Sequence, residues 1–425
     1  MSIMAQDTNL STLNGMFKYI TGDGPINVIP KYAKLLKAIP FEKAKQLGRK
    51  FIFPVIVSDE QGITFNSDGS AFALNAGVSY ETVEAEVTGT EIMTRGTISV
   101  KAVAAGMSDK QSFGNTLALK AQRMIESHTR AAEMQLLYGS LGLGNSTSKA
   151  NTSATTTTLT ISDATWSDGT WAGSTNMKLN FYANDNATLI SSGADAVFTV
   201  TEVNYANKTL LVTGTATGTT ALQGATYTGA GLYIYRDGAF GKEMVGLKKI
   251  LTTSGNVFGI NNTTYELWKS NSETISGALN FQKILDSTVR AVGRGLSEDL
   301  TVYISPKQWN TLASDAASLR RLDSSYQKTK FINGVDALEF YAANGKLTIE
   351  AHPMVRNGDM FMIPLDRFKR VGAKDISFDQ PGGKGSGEYW FPMQSYAGYE
   401  LRTYSDFAII CEAPARCIYG SGFTA

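Results

Sequence analysis

Hydrophobic positions recur every three to four residues over one long stretch of this chain, Asn115 to Tyr138. Leu117, Ala121, Met124, Ile125, His128, Ala131 and Met134 form the stripe, while Lys120, Arg123, Glu126, Arg130 and Glu133 fall mostly off it. Glu126 and Arg130 also stand at the supportive i,i+4 spacing. The pattern predicts one helix of 24 residues, a rod of about 36 Å. A one-sided helix of that length needs a broad sheet or a neighbour to lie on. A second amphipathic helix is predicted around Leu279, Ile284, Leu285, Val289 and Val292, stopped by Gly293 and Gly295. In LTVYISPKQWNTLASDA the order is strand, Ser305 as N-cap, Pro306 at the first helical position, then helix.

Elsewhere the period is two. FIFPVIV and VEAEVTGTEIMTRGTISV alternate within residues 51–100, around a Gly/Ser/Asp-rich tip near NSDGS, and predict a long two-stranded excursion. From Phe331 onward GVDALEFYA, KLTIEAHP, DMFMIPL and FAIICEA read as strands. Residues 1–30, with Gly22, Gly24, Pro25 and Pro30, read as an extended arm. Tyr32, Leu35, Leu36 and Ile39 add a short helical stripe after it.

The tract NTSATTTTLTIS (151–162) follows the long helix and a Gly-rich hinge, YGSLGLGNS. A disordered linker would stay poor in aromatics and branched aliphatics. Instead the tract leads into ATWSDGTWAG, LNFYA, AVFTVTEV, KTLLVTG and GLYIYRDG, short β-prone runs separated by turn signals. The tract therefore reads as the entry strand of an inserted small barrel or sandwich spanning roughly 145–240. Strands before and after helices, without regular βαβ alternation, give an α+β class.

The chain has 425 residues, 43% hydrophobic and 18% charged, with a net charge of +1. These values fit a folded protein of two or three domains and exclude a strongly basic nucleic-acid binder as the default. The first twenty residues carry no signal-peptide pattern, and no apolar run approaches bilayer-spanning length. Local charge is more informative than the total. Residues 31–50 hold Lys31, Lys34, Lys37, Lys43, Lys45, Arg49 and Lys50 against Glu42 alone, a net of +6. Residues 51–100 hold Asp59, Glu60, Asp68, Glu81, Glu84, Glu86 and Glu91 against Arg95 alone, a net of −6, with no lysine.

Chemistry is sparse. His128 lies on the apolar stripe and His352 precedes a proline, so both read as structural. Cys411 and Cys417 (CEAPARC) lack zinc-site spacing and read as two small buried hydrophobes. Ser146 to Lys149 matches a bare Ser-x-x-Lys pattern, but in a flexible hinge and without its companion motifs. PGGKGSGEYW (381–390) lacks phosphate-loop spacing and reads as a flexible loop. Trp166 and Trp171 are a candidate sugar platform, though core packing suits a β domain better. Arg320–Arg321 reads as a solvated pair. No catalytic, metal or cofactor residue is assigned, and the protein is expected not to be an enzyme.

The order of parts resembles the major capsid proteins of tailed bacteriophages. The pieces are an N-terminal arm, a long β-hairpin, a spine-like helix, the strand–Pro–Trp helix of VYISPKQWNTLASDAASLRRLD, and the C-terminal FAIICEAPARCIYGSGF. The resemblance implies an arm (1–50), an extended hairpin or E-loop (51–100), and a spine helix opening a peripheral domain (101–144). It also implies an inserted β domain (145–240), a peripheral and axial α/β region (241–375) and a return strand (376–425). It implies hexamers and pentamers packed into an icosahedral head around DNA held without sequence specificity, in a virion assembled in the host cytoplasm. Because the arm begins almost at Met1, a separate scaffolding protein is expected, with a portal and a possible decoration protein, and no membrane. Some relatives crosslink through a hairpin lysine, and residues 51–100 have none, so no such link is expected. Repeated heterologous contacts make Lys31, Lys34, Lys43, Lys45, Arg49 and Lys50 candidates to meet Asp59, Glu60, Asp68, Glu81, Glu84 and Glu86 of a neighbour. A β-rich tail adhesin explains the Thr-rich strands but not the spine-like helix, and a bacterial encapsulating shell protein is usually shorter.

Overall fold

The computed structural model describes residues 33–43, 50–67, 71–102, 116–322, 337–342, 345–378, 389–394 and 396–423. The long helix spans Thr116–Tyr138. One turn from its end, Met134, Leu136 and Leu137 are buried in the main core. It stops because the chain turns back at Gly139 and Ser140, the latter at φ 67°. Gly139 also has to pass Gly246, where a Cβ would stand 2.4 Å from the Gly139 nitrogen. These two crossing points connect the inserted domain to the body.

The helix lies on a five-stranded sheet. Phe41–Lys43 runs parallel to Phe368–Ser377, which pairs antiparallel with Gly398–Cys411. The opposite edge of Gly398–Phe407 takes Thr90–Ser99, and Trp390–Pro392 adds a short strand. His128 seats the helix: Nδ1 is 3.2 Å from the Thr94 hydroxyl and 3.1 Å from that of Thr403, and Nε2 is 2.8 Å from that of Ser405. Burial pulls its pKa down to about 4, so the ring is neutral at ordinary pH and its bonds to hydroxyls need no counter-charge. The structural reading of His128 is what the geometry gives.

A second sheet of six strands has the order Asn271–Gly277, Ile418–Phe423, Asp359–Ile363, Leu300–Ile304, Gly345–Ala351, Ala337–Ala342. Helices Phe281–Gly293 and Pro306–Leu322 cover it, burying Ile284, Ala291 and Leu312 with Val302, Ile304, Leu347, Ile349, Met360 and Met362. The side chain of Asn280 caps the first helix at Lys283 N (2.9 Å), and Ser305 caps the second at Gln308 N (3.3 Å) ahead of Pro306. The last strands join the two sheets: Gly398–Cys411 belongs to the first and Ile418–Phe423 to the second.

The inserted domain is a closed six-stranded barrel. Its strands are Gly144–Asn151, Thr156–Ile161, Lys178–Tyr182, Phe198–Asn204, Thr209–Thr213 and Leu232–Arg236. Leu159, Ile161, Phe181, Phe198, Val200, Leu210 and Val212 fill it, with Phe181 and Phe198 edge to face at 5.2 Å. Closure leaves no free strand edge. The threonine tract is the second strand, not the entry strand. The entry strand is Gly144–Asn151, which begins inside the segment read as hinge (138–146), and its small polar residues pair with the tract across the turn at 152–155.

The hairpin also differs from its sequence reading. Phe51–Ser58 pairs with Glu81–Val87, whereas Thr90–Ser99 leaves the excursion and joins the five-stranded sheet over ten register pairs. Period-two alternation is the same in both settings, and only the distant partner strand at 398–407 distinguishes them.

Glu133 is the residue the helical pattern misplaced. It is fully buried. Oε1 accepts from Leu35 N (2.7 Å) and lies 2.9 Å from His352 Nε2, and Oε2 accepts from Leu36 N (2.9 Å). His352 Nδ1 accepts from Met354 N at 3.2 Å, which leaves the proton on Nε2, facing the carboxylate. One carboxylate thus satisfies the first turn of helix Lys34–Ala38 and fixes the bend after strand Gly345–Ala351. Glu133→Ala leaves two buried donors and one half-buried donor unpaired and is expected to cost about 3–5 kcal/mol. Urea unfolding of the subunit checks this, together with new protease cleavage around residues 33–43.

Candidate assembly surface

The hairpin is anchored at its root and bare beyond it. Phe53 packs on Phe258 (6.5 Å) and Trp268 (6.3 Å), and Ala85 and Val87 are buried. Glu86 N donates to Phe258 O at 2.8 Å, and the Tyr265 hydroxyl donates to Glu81 Oε1 at 2.8 Å. Farther out the two legs still hold each other. Gln61 N donates to Val78 O (3.1 Å), and Asn75 donates to Ile63 O and to Thr64 Oγ1 (2.8 Å each). This outer part exposes Ile56, Ile63, Phe65, Phe72, Leu74, Val78 and Tyr80, with Phe65 at 89% and Leu74 at 79%. Burying one such side chain is worth about 1.5–3 kcal/mol. A run of them on an excursion of this kind is the sort of exposed apolar surface at which proteins make contacts.

The charged candidates divide. Lys34 Nζ donates to Ala351 O (3.1 Å) and lies 3.5 Å from Glu350. Lys50 pairs with Glu86 of its own hairpin, and Glu81 takes the Tyr265 hydroxyl. These four have partners within the chain. Lys43, Asp59, Glu60 and Glu84 form no ion pair among the described residues. Lys31, Lys45, Arg49 and Asp68 lie outside the described residues.

The remaining candidates resolve as structure. Ser146 is in a strand, not a hinge; its hydroxyl donates to Ser148 O and Thr160 O (3.2 Å each), while Lys149 Nζ lies 5.3 Å from the Tyr227 ring. Trp166 and Trp171 stack at 6.3 Å and are 2% and 0% exposed, so they offer no sugar platform. Residues 381–388 and the side chains of Arg320 and Arg321 lie outside the described residues. Among the described residues no cluster of three His, Cys, Asp or Glu could hold a metal, and no helix is long and apolar enough to cross a membrane.

Two charged groups lie where the barrel meets the body. Beside a cleft of about 300 Å³, Asp163 accepts from Lys307 Nζ (3.1 Å) and Asn357 Nδ2 (3.1 Å) and pairs with Lys208. Burial would raise its pKa, but these donors hold it at about 2. At the crossing point Glu243 Oε2 accepts from Ser140 N at 3.1 Å. Burial pushes its pKa up to about 7, against the pull of Ser140, Arg236 and Arg356. A raised carboxyl pKa means the fold prefers the protonated form. That stabilisation is complete below about 4.5 and is lost as pH rises through 7. Glu243→Gln keeps an acceptor for Ser140 without the charge. Its stability relative to the parent is expected to improve by about 3 kcal/mol between pH 5 and pH 8, read from denaturation midpoints across that range.

No protein-family model and no curated protein matches the chain. Solved structures do. The cyanophage A-1(L) capsid subunit aligns over 96% of this chain and 100% of its own, with TM-score 0.54 and 9% identity. The capsid protein of a native GTA particle aligns over 99% and 100%, with TM-score 0.51 and 9% identity. The capsid protein of cyanophage P-SCSP1u aligns over 99% and 95%, with TM-score 0.50 and 9% identity. At such identity the likeness speaks for the fold. From the seated long helix to the two linked sheets, the chain shares the fold of these capsid structures.

Proposed function

We propose that this protein is a shell subunit, self-assembling through hexamers and pentamers into an icosahedral virion head that encloses DNA without reading its sequence. The observation that carries the reading is the bare hairpin. A paired ribbon with Phe65, Leu74 and Ile63 in solvent belongs to an interface, and the fold it extends from is that of proteins found in capsids. The ribbon of one copy lies on the next, each copy giving and receiving the same contact. Asp59, Glu60 and Glu84 supply its free negative charge and Lys43 a free positive one, so part of the contact is electrostatic and weakens with salt. A scaffolding protein, a portal and a decoration protein are the further partners of such a shell. In this reading the barrel braces the subunit through Asp163 and Glu243.

Purified protein, alone and with a scaffolding protein, is expected to give closed shells, tubes, or five- and six-membered rings by size exclusion and negative-stain microscopy. Phe65→Asp with Leu74→Asp should abolish these assemblies while leaving the subunit's unfolding midpoint unchanged, since both side chains are solvent-exposed in the subunit. Normal shells from that variant would remove the hairpin from the interface, and a persistent monomer from the parent would remove the shell reading altogether. With no lysine in residues 51–100, boiled shells should run on a denaturing gel as one band near 45.8 kDa.

A further inference from the structure

We propose that Cys411 and Cys417 are a modification site, closing to an intrachain disulfide under an oxidising thiol–disulfide couple and stapling the five-stranded sheet to the six-stranded one. The two Sγ atoms are 3.8 Å apart, and both side chains are fully buried. Their backbones are fixed from different sides. Cys411 ends strand Gly398–Cys411 and registers opposite Phe368. Cys417 N donates to Pro414 O (3.0 Å), and its carbonyl accepts from Asn271 N (3.0 Å) and Asn271 Nδ2 (3.1 Å). The sulfurs are already in contact, and an S–S bond of about 2.05 Å requires only that they close the remaining gap.

The chemistry balances with a soluble disulfide such as oxidised glutathione. One thiolate attacks it and releases glutathione, forming a mixed disulfide. The second cysteine thiolate then displaces the other glutathione. Two thiols are oxidised, one glutathione disulfide is reduced, and the two thiol protons pass to the released thiolates or to solvent. Access is the slow part. The turn 412–416 joins the two cysteines, with Cys417 Sγ 3.7 Å from Ala413 O, and is pinned by Arg416 to Glu298, which also holds Arg367 at 2.6 Å, and by Glu412 N donating to Arg367 O at 3.0 Å. Burial and the neighbouring Cys411 also raise the Cys417 pKa, so attack waits for the turn to open.

The test incubates native protein with oxidised glutathione, then denatures, alkylates and digests it. Trypsin cuts after Arg416, so a bridge joins two peptides that reductant separates. The expected result is loss of both alkylation sites together, the linked peptide pair, and an unfolding midpoint higher by about 2–4 °C that reductant reverses. Glu298→Gln should speed closure several-fold by freeing the turn, and Cys411→Ser should abolish both the link and the midpoint shift. Two thiols still free after prolonged exposure would overturn the proposal. So would glutathione adducts that never resolve, or pairing seen only in denaturant. Pairing without a midpoint shift would overturn the stapling.

Discussion

A carboxylate with no access to water organises the centre of this molecule. Glu133 sits on the last turns of the spine helix and faces three donors: two backbone N–H groups of the helix Lys34–Ala38 and the imidazole of His352. An uncompensated charge in that place would be costly, so the three partners and the carboxylate require one another. The result fixes three segments far apart in sequence at one point. The N-terminal helix enters there, Leu35 and Ile39 complete the apolar layer beside it, and the bend at His352 delivers the chain from the second sheet back to the helix. Five residues earlier on the same helix, His128 ties it to two strands of the first sheet.

Around that rigid centre the structure separates a braced part from an unbraced one. The barrel closes on itself, so its strands have no edge to offer, and Asp163 and the Gly139–Gly246 crossing set its attachment. The hairpin is the opposite case. Its root is packed on Phe258 and Trp268, but beyond Ser58 it has only its own second leg, and its apolar side chains face solvent. An isolated two-stranded ribbon is marginally stable in water, and in the shell proposed above a neighbouring subunit completes it. The same arrangement explains why so little chemistry is visible. Both histidines and both cysteines lie buried inside the body.

Much of this was legible in the chain. The 3.6-residue stripe located the spine helix, the Ser305–Pro306 signal located a helix start whose cap is as read, and the run of β-prone segments after the threonine tract announced a β domain. The stripe of Tyr32, Leu35, Leu36 and Ile39 marked a short helical segment, which the fold realises as Lys34–Ala38. These are local properties: periodicity, capping and turn chemistry act over a few residues, so the sequence states them directly.

Partnership was not legible. Alternation alone could not say that Thr90–Ser99 pairs with Gly398–Phe407 rather than with the hairpin, or that the segment before the threonine tract is itself a barrel strand. Glu133 looked like one more polar residue at the edge of a stripe. The small and apolar run around it, Ala131, Ala132, Met134, Leu136 and Leu137, was the one hint that no solvated face was available there. Lys34, Lys50, Glu81 and Glu86 looked like free charges until the fold gave them partners inside the chain. The sequence by itself determined which segments are helical, which are extended and where apolar surface must be covered. Only the tertiary structure decided which strands share an edge, which charges are satisfied at home and which hydrophobic face is left for another molecule, because each depends on what a distant segment brings alongside.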